Sequence, residues 1–337
     1  MTGLPLPPTF DPARVGEVWP VPYGERAREA EEWARRHGIR AAALDDVRVC
    51  LLCVDCQNTF CSPGFELYVR GRSGRGAVDD AARLCSFIYH NLAAITEVVV
   101  TLDTHHAMQI FHPAALAGPD GAHPEPYTIV SVEDVETGRW RLDEAFAESV
   151  GLSEAEGQEH LEHYVRRLAQ SGKYELTIWP YHALLGGIGH ALVSSVEEAV
   201  FFHGIARETR PTVVVKGSNP LTEHYSVLGP EVLDDARGRS IGQVDEALVE
   251  HLCSFDAVLV AGQAKSHCVA WTVEDLLDQG SRRDEPLTSR LHLLEDCTSP
   301  VVIPGAIDYT DAADAAFRRF AAEGARIVRS TDPVADD

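Results

Sequence analysis

The sequence predicts an α/β protein: a three-layer αβα sandwich around a mainly parallel, roughly six-stranded sheet. Two observations carry that expectation. Short runs dense in Val, Leu and Ile recur along the chain and are apolar on both faces. Between them lie stretches whose apolar residues repeat at helical spacing. A strand apolar on both faces needs cover on both sides, and alternating helices supply it as crossovers of a parallel sheet.

Each element follows in order. Residues 1–23 are Pro-rich and read as a surface wrap, and 24–37 (GERAREAEEWARRH) as a helix that Gly38 ends. Residues 46–55 (DVRVCLLCVD) are the first strand. Residues 77–94 form a helix with Ala81, Leu84, Cys85, Ile88 and Leu92 on one face. The second strand is 97–103 (EVVVTLD). Two charged helical patterns fill 140–170, split near Gly151, and another helix at 193–208 stops before Pro211. Strands follow at 211–217 (PTVVVKG), 255–262 (FDAVLVAG), 290–297 (RLHLLEDC) and 325–330 (ARIVRS). The helices between and after them span 242–252, 268–279 and 308–323.

Composition excludes several classes. Of 337 residues, 29 are Lys or Arg and 52 Asp or Glu, giving a net charge of −23. A surface that acidic repels phosphate backbones and anionic lipid, so neither nucleic acid nor a membrane is an expected partner. No run approaches the roughly 18 apolar residues of a membrane span. The N-terminus carries no basic-then-apolar targeting pattern, so a cytoplasmic location is expected. The 8 cysteines are too sparse for a disulfide scaffold. Cys50, Cys53 and Cys56 have Cys-x-x-Cys-x-x-Cys spacing. They lie in an apolar strand, however, where three-residue steps point to opposite faces, so they read as buried hydrophobes rather than cluster ligands. The first strand is followed by VDCQNTF, not a glycine fingerprint, and GRSGRG (71–76) lacks the P-loop Lys-Ser/Thr. Dinucleotide binding is not expected.

In open parallel sheets the site lies beyond the carboxyl ends of the strands. Asp55, Asp103 with His105, Lys216, and the turn before Cys268 occupy those ends. Cys268 opens a helix, where unpaired N–H groups favour a thiolate. Lys216 can lower the thiol pKa as a cation, and Asp55 can accept the thiol proton and return it to a leaving amine. A buried thiol capping a helix is the bland alternative for Cys268 alone. Asp103-Thr-His105 places two ligand-type side chains on one side of an extended segment. His182 in IWPYHALLGG offers a third, and His106 and His112 rival it on spacing alone. One carboxylate and two imidazoles suit zinc, iron or manganese with open positions.

These segments resemble the nicotinamidases among the isochorismatase-like cysteine hydrolases. VDCQNTFCSPGFEL (54–67), TLDTHH (101–106), WPYH (179–182), VVKG (214–217) and GQAKSHCV (262–269) stand in that family's order across residues 50–300. The resemblance implies a divalent metal (zinc first, iron or manganese otherwise) on Asp103, His105 and His182. It implies Asp55 as base, Lys216 as catalytic lysine and Cys268 as nucleophile. It also implies an oxyanion hole from the N–H groups of Ala264 and Cys268, a cis peptide at Gln263–Ala264, and Phe60 and Trp179 flanking a planar ring. The implied activity is hydrolysis of a small amide, nicotinamide first. A carbamoyl, ureido or maleamate-type amide, or a natural-product intermediate, is the alternative. A homo-oligomer is open.

Three features depart from the family pattern. Ala183 follows His182, where cysteine is common. GSNPLTEHYS follows the lysine. The stretch from Asp103 to His182 is long. The expected organisation is an N-terminal extension (1–45) and one catalytic domain (46–330) with an acidic helical insertion at 118–177. That insertion is expected to be an interface, a lid or surface decoration.

Overall fold

The computed structural model describes residues 3–283 and 287–334; residues 1 and 2 of the expected extension lie outside them. Six strands form one sheet: β1 (Val49–Val54), β2 (Glu97–Asp103), β3 (Thr212–Lys216), β4 (Ala257–Gly262), β5 (Leu291–Leu294) and β6 (Arg326–Val328). Their order is β6-β5-β4-β1-β2-β3, and every pairing is parallel. All six expected strands are present.

Among the described residues the main helices are α1 (Tyr23–His37), α2 (Gly76–His90), α3 (Glu154–Ser171), α4 (Ser194–Ala206), α5 (Glu246–Cys253), α6 (Ala270–Arg282) and α7 (Thr310–Glu323). Strand β1 shows how the layers arise. All six of its residues are buried. Val49, Leu51 and Cys53 pack with α1, α2 and α4, whereas Cys50, Leu52 and Val54 pack with α5, α6 and α7. Period-two alternation therefore sends Cys50 and Cys53 into different layers, as the spacing predicted. The eight cysteines are all free thiols.

One strand departs from two-sided cover. β3 is a sheet edge, and its Val213 and Val215 are 54% and 58% exposed. An apolar sequence cannot distinguish a covered strand from an edge strand with one bare face.

Chain order fixes the crevice. Progression runs outward from β1 through β2 to β3, then reverses to β4 on the other side of β1. The ends of β1 and β4 therefore border the switch point, the usual ligand crevice of such sheets. Gly262 ends β4 at φ +113°, and a Cβ there would stand 2.0 Å from Val54 O. Only glycine lets the two strand ends run this close.

Within 118–177 the chain forms α3 and two shorter helices, Val132–Glu136 and Glu144–Ser149. Two short antiparallel pairs tie the segment together: Leu116–Ala117 with Arg141–Leu142, and Ile129–Val130 with Leu176–Thr177. Two-residue strands carry no period to read, which is why the sequence pointed to helices alone. A capping box formed by Ser153 and Glu156 starts α3, and Gly172 in the left-handed region ends it. Toward the N-terminus, α1 packs on α4, with Arg26 paired to Glu198 at 2.5 Å.

Candidate active site

Three strand ends and one turn build the site. Asp103 at the end of β2 is register partner to Lys216 at the end of β3. Asp55, the residue after β1, is fully buried and held at φ +46°. That left-handed conformation is uncommon outside glycine and aims the carboxyl across the strand ends. Thr101 Oγ1 accepts from Asp55 N–H at 2.9 Å and donates to Asp55 Oδ1 at 2.5 Å.

Lys216 is the hub. Its Nζ donates to Asp103 Oδ1 at 2.9 Å and to His224 O at 2.9 Å. It lies 3.0 Å from Asp55 Oδ2 and 3.7 Å from Cys268 Sγ. The approach to Oδ2 is an ion pair without hydrogen-bond alignment, so that oxygen has no formed hydrogen bond. Burial works against the ammonium, but Asp103 and Asp55 outweigh it and hold Lys216 charged. Burial also pushes Asp103 up, and His105 and Lys216 overcome it, keeping that carboxyl below its usual range. Asp55 is pushed up, chiefly by burial.

Cys268 lies in a π-helical turn, Lys265–Val269, that leads into α6. Ala264 O accepts from the N–H groups of His267 and Val269 at 3.0 and 3.2 Å. The Gln263–Ala264 peptide is cis. The Gln263 side chain is clamped at both ends, donating to Asp80 at 3.0 Å and accepting from Ser299 N–H at 3.3 Å. One expectation needs correction. Burial raises the Cys268 thiol well above its ordinary pKa despite the pull of Lys216. Desolvation of a buried anion outweighs one cation that two carboxylates already share, so burial here works against a standing thiolate.

The histidines separate cleanly. The side-chain nitrogens of His105, His112 and His182 lie within 4.8 Å of one another, and all three residues are buried. His106 is exposed and outside the group. In each of the three, Nδ1 meets a backbone carbonyl: His105 to His182 O at 3.2 Å, His112 to Ala107 O at 3.2 Å, and His182 to Pro180 O at 2.7 Å. A carbonyl only accepts, so each Nδ1 carries a hydrogen, and each Nε2 presents a lone pair when its ring is neutral. That arrangement is the usual outer support of metal-bound imidazoles. His112 Nε2 is buried without a partner. His105 Nε2 stands 3.0 Å from Asp103 Oδ1, where two lone pairs need a cation or proton between them. Burial lowers His112 to about 4 and His182 well below its usual value, which keeps both imidazoles neutral. These donors fit a divalent ion. Gln57 steadies the carboxylate by accepting from Asp103 N–H and donating to Asp103 O, both at 2.8 Å.

A pocket joins these groups, and Cys268, Ala264, Asp103, His105, His182, Phe60 and Trp179 all line it. Every residue expected at the site except Asp55 and Lys216 is thus on its wall, and those two lie directly behind Cys268 and Asp103. Glu223, His224, Tyr225 and His267 also line the pocket. Sequence reasoning named none of them, although the first three belong to the unusual GSNPLTEHYS segment. Burial, the largest cause, pushes Glu223 up to about 8. Gly217 N–H donates to His224 Nδ1 at 3.2 Å, so the hydrogen of a neutral His224 sits on Nε2, the reverse of the three grouped histidines.

No family model matches the chain, and no curated protein matches it by sequence. Solved structures do match. The yeast nicotinamidase Pnc1p bound to the inhibitor nicotinaldehyde superposes with a TM-score of 0.52 at 18% identity, covering 83% of this chain and 99% of that one. A second structure of the yeast nicotinamidase gives 0.50 at 17% identity, with the same coverage. A nicotinamidase/pyrazinamidase of Acinetobacter baumanii gives 0.49 at 19%, covering 85% and 97%. The chain therefore has the fold of the yeast nicotinamidase, the three-layer sandwich that its sequence predicted.

Proposed function

We propose that this protein is a cysteine amidohydrolase that cleaves the C–N bond of a small amide through a thioester, with nicotinamide as the leading substrate. The observation that carries the proposal is the buried contact of one lysine with both partners of a proton transfer. Lys216 Nζ is 3.0 Å from Asp55 Oδ2 and 3.7 Å from Cys268 Sγ.

In this mechanism Cys268 Sγ attacks the amide carbon while its proton passes to Asp55, whose Oδ2 has no other hydrogen bond. The oxyanion is held by the N–H groups of Ala264 and Cys268. Asp55 then protonates the departing nitrogen, ammonia leaves, and a thioester remains. Asp55 next takes a proton from water, the water adds to the thioester, and the acid is released as the thiol reforms. Lys216 stabilises sulfur as it becomes anionic and keeps Asp55 able to cycle. Phe60 and Trp179 bound the ring from the pocket walls. His105, His112 and His182, with Asp103 alongside, would hold the divalent ion, zinc first and iron or manganese otherwise. That ion supplies a Lewis-acid anchor for a ring nitrogen or carboxylate.

A second substrate reading has its own support. Glu223, His224 and His267 add polar groups to the pocket wall, which suits an amide carrying a further polar substituent. One experiment addresses both. Ammonia release is measured over nicotinamide and a panel of carbamoyl, ureido and maleamate-type amides, with wild type and Cys268→Ala. The variant should fall by roughly a thousandfold or more while retaining its fold and bound metal. Wild-type ammonia release from Cys268→Ala refutes the mechanism.

A further inference from the structure

The insertion reaches the active site through a continuous chain of hydrogen bonds. Tyr164 on α3 is fully buried. Its hydroxyl accepts from Glu223 N–H at 2.8 Å and donates to Glu223 Oε2 at 3.0 Å, gripping both backbone and carboxyl. Glu223 Oε1 accepts from Tyr225 Oη at 2.5 Å. Tyr225 Oη accepts from Trp179 Nε1–H at 3.0 Å. Glu223, Tyr225 and Trp179 all line the pocket, whereas Tyr164 does not.

Other ties hold the same frame. His160, one turn earlier on α3, donates from Nε2 to Leu221 O at 2.8 Å. Lys173 pairs with buried Glu231 at 3.1 Å, and Glu231 N–H donates to Glu223 O at 2.9 Å. Tyr174 donates to Ser266 O at 2.8 Å, in the turn that carries Cys268. Trp179 is buried, its ring packs edge-on against Tyr127 and His267, and its N–H hydrogen bond fixes which way the indole faces. From that N–H a hydrogen-bonded route runs through Tyr225 and Glu223 to α3.

We propose that the 118–177 insertion sets substrate affinity, with Tyr164 as a positioning residue that fixes Glu223, Tyr225 and, through them, the Trp179 wall. The insertion is then a permanent part of the pocket rather than a lid or decoration. This inference rests on the proposed amidase reading for its kinetic consequence, but not for its geometric one. The side-chain links run from Tyr164 to the indole, whereas Lys216 meets the same segment only through the His224 backbone carbonyl, so loss of the Tyr164 hydroxyl weakens substrate binding and spares the bond-breaking step. The chain's members act as a unit, so cutting it at one link or two has the same effect.

The test compares Tyr164→Phe, Tyr225→Phe and the double variant in the full-length, metal-loaded protein, with nicotinamide or the best amide of the panel. Each single variant should raise KM about 5- to 20-fold, the range of one or two buried hydrogen bonds, with kcat within twofold for Tyr164→Phe. The double variant should raise KM no further than the larger single effect. Independently of turnover, Trp179 emission is isolated as the difference between each protein and its Trp179→Phe counterpart, and it should shift in Tyr164→Phe. Unchanged KM, additive effects in the double variant, or a fall in kcat at constant KM overturns the proposal. Trp179 emission in Tyr164→Phe that overlays wild type overturns it too. If Tyr164→Phe fails to fold, Tyr225→Phe must still show the KM rise and the emission shift, and without them the proposal falls. If wild type hydrolyses no amide, the reaction reading fails, and the emission alone decides whether Tyr164 positions the wall.

Discussion

Gly217→Ala tests whether the histidine group is a metal cradle in which tenths of an ångström matter. Gly217 follows Lys216 at φ +88°, and an added Cβ would stand 2.7 Å from Asp103 Oδ1 and 3.1 Å from His105 Nε2. A carbon and an oxygen approach to about 3.3 Å at closest without repulsion, so the carboxylate must retreat by roughly half an ångström. It has nowhere to go cheaply, since Lys216 holds the same oxygen at 2.9 Å and His105 faces it at 3.0 Å. The left-handed backbone adds about 1–2 kcal/mol for any L-residue. Gly74 separates the two effects: it has φ +83° with nothing within 4 Å of its added Cβ. Both variants should lose comparable backbone stability in urea unfolding. Only Gly217→Ala should lose metal affinity, by about 10- to 100-fold, the usual penalty for disturbing the support of a metal ligand. Competition with a chromophoric chelator for zinc reads that affinity directly. Zinc affinity in Gly217→Ala within twofold of both wild type and Gly74→Ala would refute the cradle.

Two further predictions concern histidines. His112→Ala should lower zinc affinity at least tenfold in the same competition, while His106→Ala, at an exposed position outside the group, should leave it unchanged; equal effects would return the ligand set to uncertainty by spacing. His203 is buried, donates to Ile95 O at 2.9 Å and is lowered by burial to about 4. Its unfolded form takes up a proton as pH falls below about 6.5 and its folded form does not, so stability is lost on acidification. That loss is about 2 kcal/mol at pH 5. Urea midpoints between pH 7 and 5 should fall less steeply in His203→Gln, and parallel curves would count against it.

The sheet and the reactive strand ends were legible because each depends on local signals. Runs such as VCLLCV and FDAVLVAG, short and apolar between turn residues and helical patterns, read as strands, and a parallel sheet puts all their carboxyl ends on one side. Asp55, Asp103, Lys216 and Cys268 could therefore be associated before any distance was known. The third histidine was not legible. His106 and His112 differ only in how the loop after β2 turns, and Gln109 decides that by accepting from His106 N–H and donating to Gly217 O. Tyr164 was still less legible. On α3 it is one apolar-face residue among His160, Leu161, Val165 and Leu168, and nothing in helical spacing distinguishes a packing tyrosine from one that grips a carboxyl 59 residues away in sequence. The nearest signal was an acid, a histidine and a tyrosine standing together in the loop after the lysine.

The charge inventory at the strand ends explains why the nucleophile should rest as a thiol. Two buried carboxylates, Asp55 and Asp103, share the single ammonium of Lys216 at 3.0 and 2.9 Å. In the metal-free chain a permanent thiolate would add a third anion against the same cation in a buried site, where an uncompensated charge is costly. Burial accordingly raises both Cys268 and Asp55. In the proposed mechanism the proton therefore leaves sulfur for Asp55 as the C–S bond forms, not before. Asp103 is the exception, held ionised by His105 and Lys216 against its own burial. The two aspartates thus differ by environment alone. The one beside the histidines stays an anion suited to a cation. The one beside the thiol is poised to gain and lose a proton.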